Sequence, residues 1–254
     1  MFGWLLKSRR QRLLSAPFPP AWETVLERNV AHCAVLPADL LARLRDKLRI
    51  IVAERRFAGA QGLIVTEEMR VTIAAQAALL LLGVEGYFFD RVPVIVLLPG
   101  SFSRRAKRLK QHGVNDERGL LGEAVQGDGI RLSWPDALDG GLIPDDGENL
   151  VLHEFAHHLD GLDGEMGGAP PQDTPAKQQR WEAVIAAEYG QLLAAADVDE
   201  ETLLDPYGAE SKAEFFAVAT ECFYEQPREL ADEHPDLYAV LRDFFHVDPA
   251  SWNW

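Results

Sequence analysis

Only two cysteines occur in the 254 residues, Cys33 and Cys222, and they stand far apart in the chain. That scarcity excludes a disulfide framework and any Cys-x-x-Cys metal site, and it points to two reduced thiols in a cytosolic setting. Long apolar runs are also missing. The longest, Ile73 to Val84, is interrupted by Gln76 and falls well short of the ~20 residues that span a bilayer. The opening Met1-Phe-Gly-Trp-Leu-Leu-Lys-Ser-Arg-Arg lacks the order of a secretory signal, because its basic residues follow a short apolar run instead of preceding a long one. With neither signal nor span, a cytoplasmic protein is expected. Positive charge is in deficit: 25 Lys and Arg against 40 Asp and Glu give a net charge of −15. A broad nucleic-acid footprint is therefore excluded. No internal repeat and no low-complexity segment appears.

What is present suits a soluble globular protein. Apolar residues make up 47% of the chain and charged ones 26%, enough to build a sizeable core. Residues 1–17 read as a flexible tail. Phe18-Pro-Pro-Ala-Trp22 is a stiff lead into a single domain expected over 18–250. Leu40, Leu41, Leu44, Leu48 and Ile51 recur at helical spacing and predict a helix over Pro37 to Phe57. Thr66 followed by Glu67 and Glu68 predicts an N-cap and a helix to about Leu82. Arg91 to Leu98 reads as a short buried strand whose Pro93 marks its start or an edge. Leu120 to Val125 and Gly129 to Trp134 read as the arms of a hairpin, the second a candidate edge strand for an extended peptide. Further helices are expected over Lys177 to Ala196, Ala209 to Tyr224 and Pro235 to Phe245. Most of the basic density lies at Arg104, Arg105, Lys107, Arg108 and Lys110. That cluster is either a solvated face or a docking patch for an acidic partner.

The chemistry concentrates between Asp145 and Gly161, which contains His-Glu-x-x-His at His153, Glu154 and His157. On a helix, positions four apart lie ~40° apart around the axis and one turn along it, so both imidazoles can hold one Zn²⁺ from the same side. Glu154 lies ~100° from His153, where it reaches past the metal and can act as general base toward a water. Asp145 and Glu148 have capping-box spacing, and Gly161 is a natural stop. The surrounding Leu150, Val151, Leu152, Phe155, Ala156 and Leu159 make this a buried helix. A catalytic zinc takes three protein ligands. Glu210, Glu214 and Glu221 are candidates for the third, with Glu214 favoured by its apolar neighbours. Asp160 either supports a metal histidine or faces solvent, and His158 reads as structural. The Gly- and Pro-rich stretch Gly161 to Pro175 reads as a loop.

Two stretches together, Asn149-Leu-Val-Leu-His-Glu-Phe-Ala-His-His-Leu-Asp160 and Tyr207-Gly-Ala-Glu-Ser-Lys-Ala-Glu-Phe-Phe-Ala-Val218, resemble the Mlc titration factor A family. Pro20-Ala-Trp22 and Gly129-Ile-Arg-Leu-Ser-Trp134 add to the likeness, which covers about Phe18 to Asp248. That family is one of bacterial zinc metallopeptidases related to the catalytic domain of anthrax lethal factor. The resemblance implies an α+β, mainly helical, zincin-like fold with a small β-sheet beside the active-site helix. It implies His153, His157 and Glu214 as zinc ligands, Glu154 as general base and Tyr207 as oxyanion donor. It implies aminopeptidase-like activity on a peptide substrate. It also implies a partner, since the named family member sequesters a transcriptional repressor of sugar-uptake genes, and binding without catalysis is the alternative function. Some members carry an extra histidine that reaches the zinc. Its place here falls near Val114, with His112 two residues away.

Overall fold

The computed structural model describes residues 2–101 and 129–254. Among the described residues the architecture is mainly helical, with one three-stranded parallel sheet. The chain opens with helices α1 (Phe2–Ser15), α2 (Pro20–Asn29), α3 (His32–Val35) and α4 (Ala38–Glu54), and then strand β1 (Phe57–Gly59). Helix α5 (Glu67–Leu79), strands β2 (Ile95–Leu98) and β3 (Ile130–Ser133), and helices α6 (Trp134–Leu142) and α7 (Leu150–Asp160) follow. Helices α8 (Pro175–Ala196), α9 (Lys212–Glu225), α10 (Pro227–Glu233) and α11 (Pro235–Phe245) complete the described elements, with short 3₁₀ turns between some of them.

The strands lie in the order β1-β2-β3. Phe57 pairs with Ile95, Ile95 with Ile130, and Leu98 with Ser133. The sequence Ile95-Val-Leu-Leu98 is apolar throughout because β2 is the central strand and all four of its residues are buried. Pro93 precedes it, as its missing N–H requires. Among the described residues β3 covers Ile130–Ser133 and pairs with β2. It runs parallel to β2, so the two are joined by a long connection and not by a tight turn. The other expected arm, Leu120 to Val125, lies outside the described residues. Trp134 also leaves the strand: Ser133 Oγ accepts from Asp136 N–H at 3.3 Å and caps α6 at once.

Two helices are buried along most of their length and form the centre. In α5 every residue from Val71 to Leu79 is buried, and Thr66 caps it as expected, its hydroxyl accepting from Met69 N–H at 3.2 Å. The buried Gln76 donates to Ala137 O at 2.8 Å and so fastens α5 to α6. Helix α6 also meets the end of α2 so closely that a Cβ on Gly141 would fall 2.3 Å from Asn29 O. In α9 every residue from Phe215 to Glu225 is buried. Phe216, Phe223 and Tyr224 interlock with Trp181, Phe244 and Phe245 in edge-to-face and stacked pairs. Each such ring contributes about 1.5–3 kcal/mol by burial.

The expected tail is a helix. Arg10 on α1 forks onto Glu54 at 3.0 and 2.6 Å, reaches Asp90 at 2.6 Å, and lies over the Phe88 ring. Arg49 on α4 donates to the carbonyls of Leu13, Leu14 and Ala16. Those bonds satisfy the end of α1, a role its polar sequence did not reveal. No helix among the described residues is long and apolar enough to cross a membrane.

Candidate metal centre

Helix α7 begins later than its capping-box pattern suggests. Gly147 sits at φ +78°, in the left-handed region, and Glu148 N–H bonds Asp146 Oδ1 at 3.0 Å, so the residues from Asp145 form a turn. Asn149 caps the helix instead, its Oδ1 accepting from Leu152 N–H at 3.0 Å. Gly161 ends it, with an ordinary φ of −75°; the left-handed glycine is Gly164, after one 3₁₀ turn.

Helix α9 also starts later than expected. Pro206–Glu210 is a 3₁₀ turn, and Ser211 Oγ accepts from Glu214 N–H at 3.1 Å to open α9. The expected stripe of three glutamates is thereby broken. Glu210 is exposed and precedes the helix, while Glu214 and Glu221 lie two turns apart on its α7 face.

These two starts place α7 against α9. Glu214 Oε2 lies 3.1 Å from His153 Nε2 and 3.3 Å from His157 Nε2, and the two nitrogens are 3.1 Å apart. On its far side, His153 Nδ1 lies 2.9 Å from Glu221 Oε2, and Glu221 is fully buried. The carboxylate accepts, so the proton of His153 sits on Nδ1 and its Nε2 presents a lone pair. With His157 in the same tautomer, two imidazole nitrogens and a carboxylate oxygen, all acceptors, converge on one point. A cation satisfies all three at once. Tetrahedral ligation at about 2.0–2.2 Å separates ligand atoms by about 3.3–3.6 Å, a few tenths of an ångström beyond the distances found. His153, His157 and Glu214 also form the one group of its kind among the described residues able to hold a metal ion. Burial opposes the charge of Glu214, but without a metal the imidazoles, once protonated, outweigh it and hold its carboxyl well below the usual range.

Glu154 has the opposite character. Burial raises its pKa above the ordinary carboxylate value, with His153 and His157 pulling the other way. A more basic carboxylate beside two ligand imidazoles suits proton acceptance near neutrality. Tyr207, on the 3₁₀ turn, brings its ring centroid to 6.1 Å from that of His153. Asp205 fixes that turn by accepting from Tyr207 N–H at 2.8 Å.

Asp160 neither supports a metal histidine nor faces solvent. Its two oxygens accept from Gly168 N–H at 2.9 Å and Ala169 N–H at 2.8 Å. Gly168 is at φ +69°, and a Cβ there would fall 2.2 Å from Lys212 O. Trp181 Nε1 donates to Gly168 O at 3.0 Å. The loop after α7 therefore staples the end of α7 to α8 and to the start of α9, close to Glu214. His158 is structural, as expected: its Nε2 meets Tyr87 Oη at 2.6 Å, and burial pushes its pKa down to about 4. His112, Val114 and the basic cluster from Arg104 to Lys110 lie outside the described residues. Sequence reasoning left Glu221 open and missed Asn149 as a site residue. The seven-residue step from Glu214 to Glu221, two helical turns, is the signal that places both on one face.

A sequence profile of the glucose-regulated metallo-peptidase M90 family matches residues 5–246. An uncharacterized protein of Synechocystis is 34% identical over 249 residues, covering 95% of this chain and 89% of its own. A protein of Serratia proteamaculans named Mlc titration factor A is 29% identical over 242 residues, covering 91% of this chain and 90% of its own. One of the same name from Yersinia pestis is 27% identical over 259 residues, covering 98% and 91%.

Proposed function

The chain belongs to the glucose-regulated metallo-peptidase M90 family, and from that premise we propose that it is a zinc-dependent, aminopeptidase-like hydrolase of peptides. The observation that carries this reading is the convergence of three acceptor atoms, from His153, His157 and Glu214, at 3.1–3.3 Å from one another. Their mixed nitrogen and oxygen set fits zinc, with a position left for substrate. Zinc bound there would polarise the scissile carbonyl and make water a competent nucleophile near neutral pH.

The chain's own groups do the rest. Glu154 accepts the proton from the attacking water and returns it to the departing amine, a cycle that its raised pKa favours. Tyr207 donates its phenolic proton in a hydrogen bond to the developing oxyanion without itself carrying charge. Strand β3, packed beside α7, is in this reading the strand whose backbone groups receive an extended peptide.

A second reading rests on the relatives' name, which says of them that they titrate Mlc. Here the chain would bind a repressor protein, with or without cleaving peptides, and thereby affect sugar-uptake genes.

Chelation tests the first reading. Treating the purified protein with a strong zinc chelator is expected to abolish cleavage of short chromogenic peptides, and one equivalent of zinc is expected to restore it. Substrates with a blocked N-terminus are expected to be poor if the specificity is that of an aminopeptidase. Hydrolysis that persists unchanged after complete metal removal would refute the metallopeptidase assignment.

A further inference from the structure

Glu221 touches the site from behind, and its contacts have a pattern that ligand geometry alone does not require. One oxygen, Oε2, accepts from His153 Nδ1 at 2.9 Å. The other, Oε1, accepts from the backbone N–H of Asn149 at 2.9 Å. Asn149 is the residue whose side chain caps α7, and its amide also donates to Gly140 O at 2.7 Å and Glu225 Oε1 at 3.1 Å. One buried carboxylate thus binds both the first backbone group of the helix and an imidazole one turn along it. The helix cannot slide or rotate about its axis without breaking one of the two bonds.

His157 has no comparable support. Its Nδ1 is buried with no hydrogen-bond partner among the described residues. The two histidines, four residues apart, are therefore held differently.

We propose that Glu221 is a positioning residue that fixes the tautomer and ring plane of His153, making His153 the preorganised ligand. The proposal rests on the zinc reading above. A metal histidine that donates its second N–H to a carboxylate is oriented and made more basic, and loss of such a partner typically lowers metal affinity 10–100-fold. Glutamine at 221 keeps the size but offers only one acceptor oxygen to two donors. Either Asn149 N–H or His153 Nδ1–H must then face an NH₂ group. If it is the histidine, the ring gains by moving its proton to Nε2, the atom needed for ligation.

The experiment uses the full-length protein with ¹⁵N-labelled histidine, with and without zinc, as wild type, Glu221→Gln and Glu210→Gln. In the wild type, the Nδ1-bound proton of His153 is expected far downfield and slow to exchange in both zinc states, as for a buried N–H held by a carboxylate. In Glu221→Gln that signal is expected to move upfield or vanish, and zinc affinity measured against a competing chelator to fall 10–100-fold. Glu210→Gln makes the same chemical change on an exposed side chain and is expected to alter neither. A wild-type His153 whose Nδ1 proton is absent or exchanges freely would overturn the proposal, as would a folded Glu221→Gln that binds zinc like the wild type. If Glu221→Gln fails to fold, the wild-type spectrum still decides. A wild type that binds no zinc would refute the zinc reading instead, and the metal-free spectrum separates the two failures.

Discussion

Glu154→Gln is expected to retain zinc and fold while losing peptide hydrolysis by about 10²–10⁴-fold, the scale on which a positioned general base contributes. The substitution is nearly isosteric. The carboxylate it removes is one whose pKa burial has already raised, so neutralising it does not remove a stabilising charge from the interior. Neither Nε2 of the ligand histidines depends on it, because His153 is held from behind by Glu221 and both nitrogens face Glu214. The loss should fall on kcat more than on KM, since the proton acceptor acts in the transition state. Tyr207→Phe provides the comparison: losing one oxyanion donor is expected to cost about 10²–10³-fold, with zinc and stability unchanged. Single-turnover kinetics on a short chromogenic peptide, beside elemental analysis of the same preparations, would measure both. Activity in Glu154→Gln within a few-fold of wild type would rule out Glu154 as the base. The same variant separates the two readings of function. Capture of a repressor by binding alone should survive it, whereas an effect that requires cleavage should not.

Much of this site was legible because helices turn chemistry into spacing. His153 and His157 come to one face by the four-residue step alone, and the apolar residues between them announce a buried helix. Glu214 followed by Phe215 and Phe216 pointed to a carboxylate held among apolar neighbours, and the fold brings that carboxylate to the two histidines. What sequence spacing concealed was where each helix starts. Asp145 and Glu148 mimic a capping box, but Gly147 takes a left-handed conformation that no helix interior accepts, and the start moves to Asn149. Ser211 does the same for α9 and strands Glu210 outside it. The parallel partner of β3 was hidden for a different reason: period-two patterning marks a short strand but does not say which distant strand, here β2, lies beside it. Asp160 was ambiguous because its partners, Gly168 and Ala169, come from a loop whose course no periodicity encodes.

Glu214→Ala is expected to abolish stoichiometric zinc binding, and with it hydrolysis, while leaving the fold intact. The helix start survives because Ser211 caps the backbone N–H of residue 214, which alanine retains. The side chain removed is 22% exposed, so its loss opens no sealed cavity. In the metal-free protein its removal even relieves the convergence of acceptors on one point. Zinc, by contrast, loses its one anionic ligand and keeps two imidazoles. Thermal unfolding makes the difference measurable. A metal that binds only the native state stabilises it by about 2.7 kcal/mol at a hundred-fold excess over Kd. Added zinc should therefore raise the Tm of the stripped wild type and leave that of Glu214→Ala unmoved. Neither Glu210 nor Glu221 can take over. Glu210 is exposed and precedes the helix, and Glu221 already holds His153 Nδ1 and Asn149 N–H, so turning it toward the metal would release both. One zinc per chain in Glu214→Ala after dialysis against a chelator would therefore remove Glu214 from the ligand set and require a different third donor.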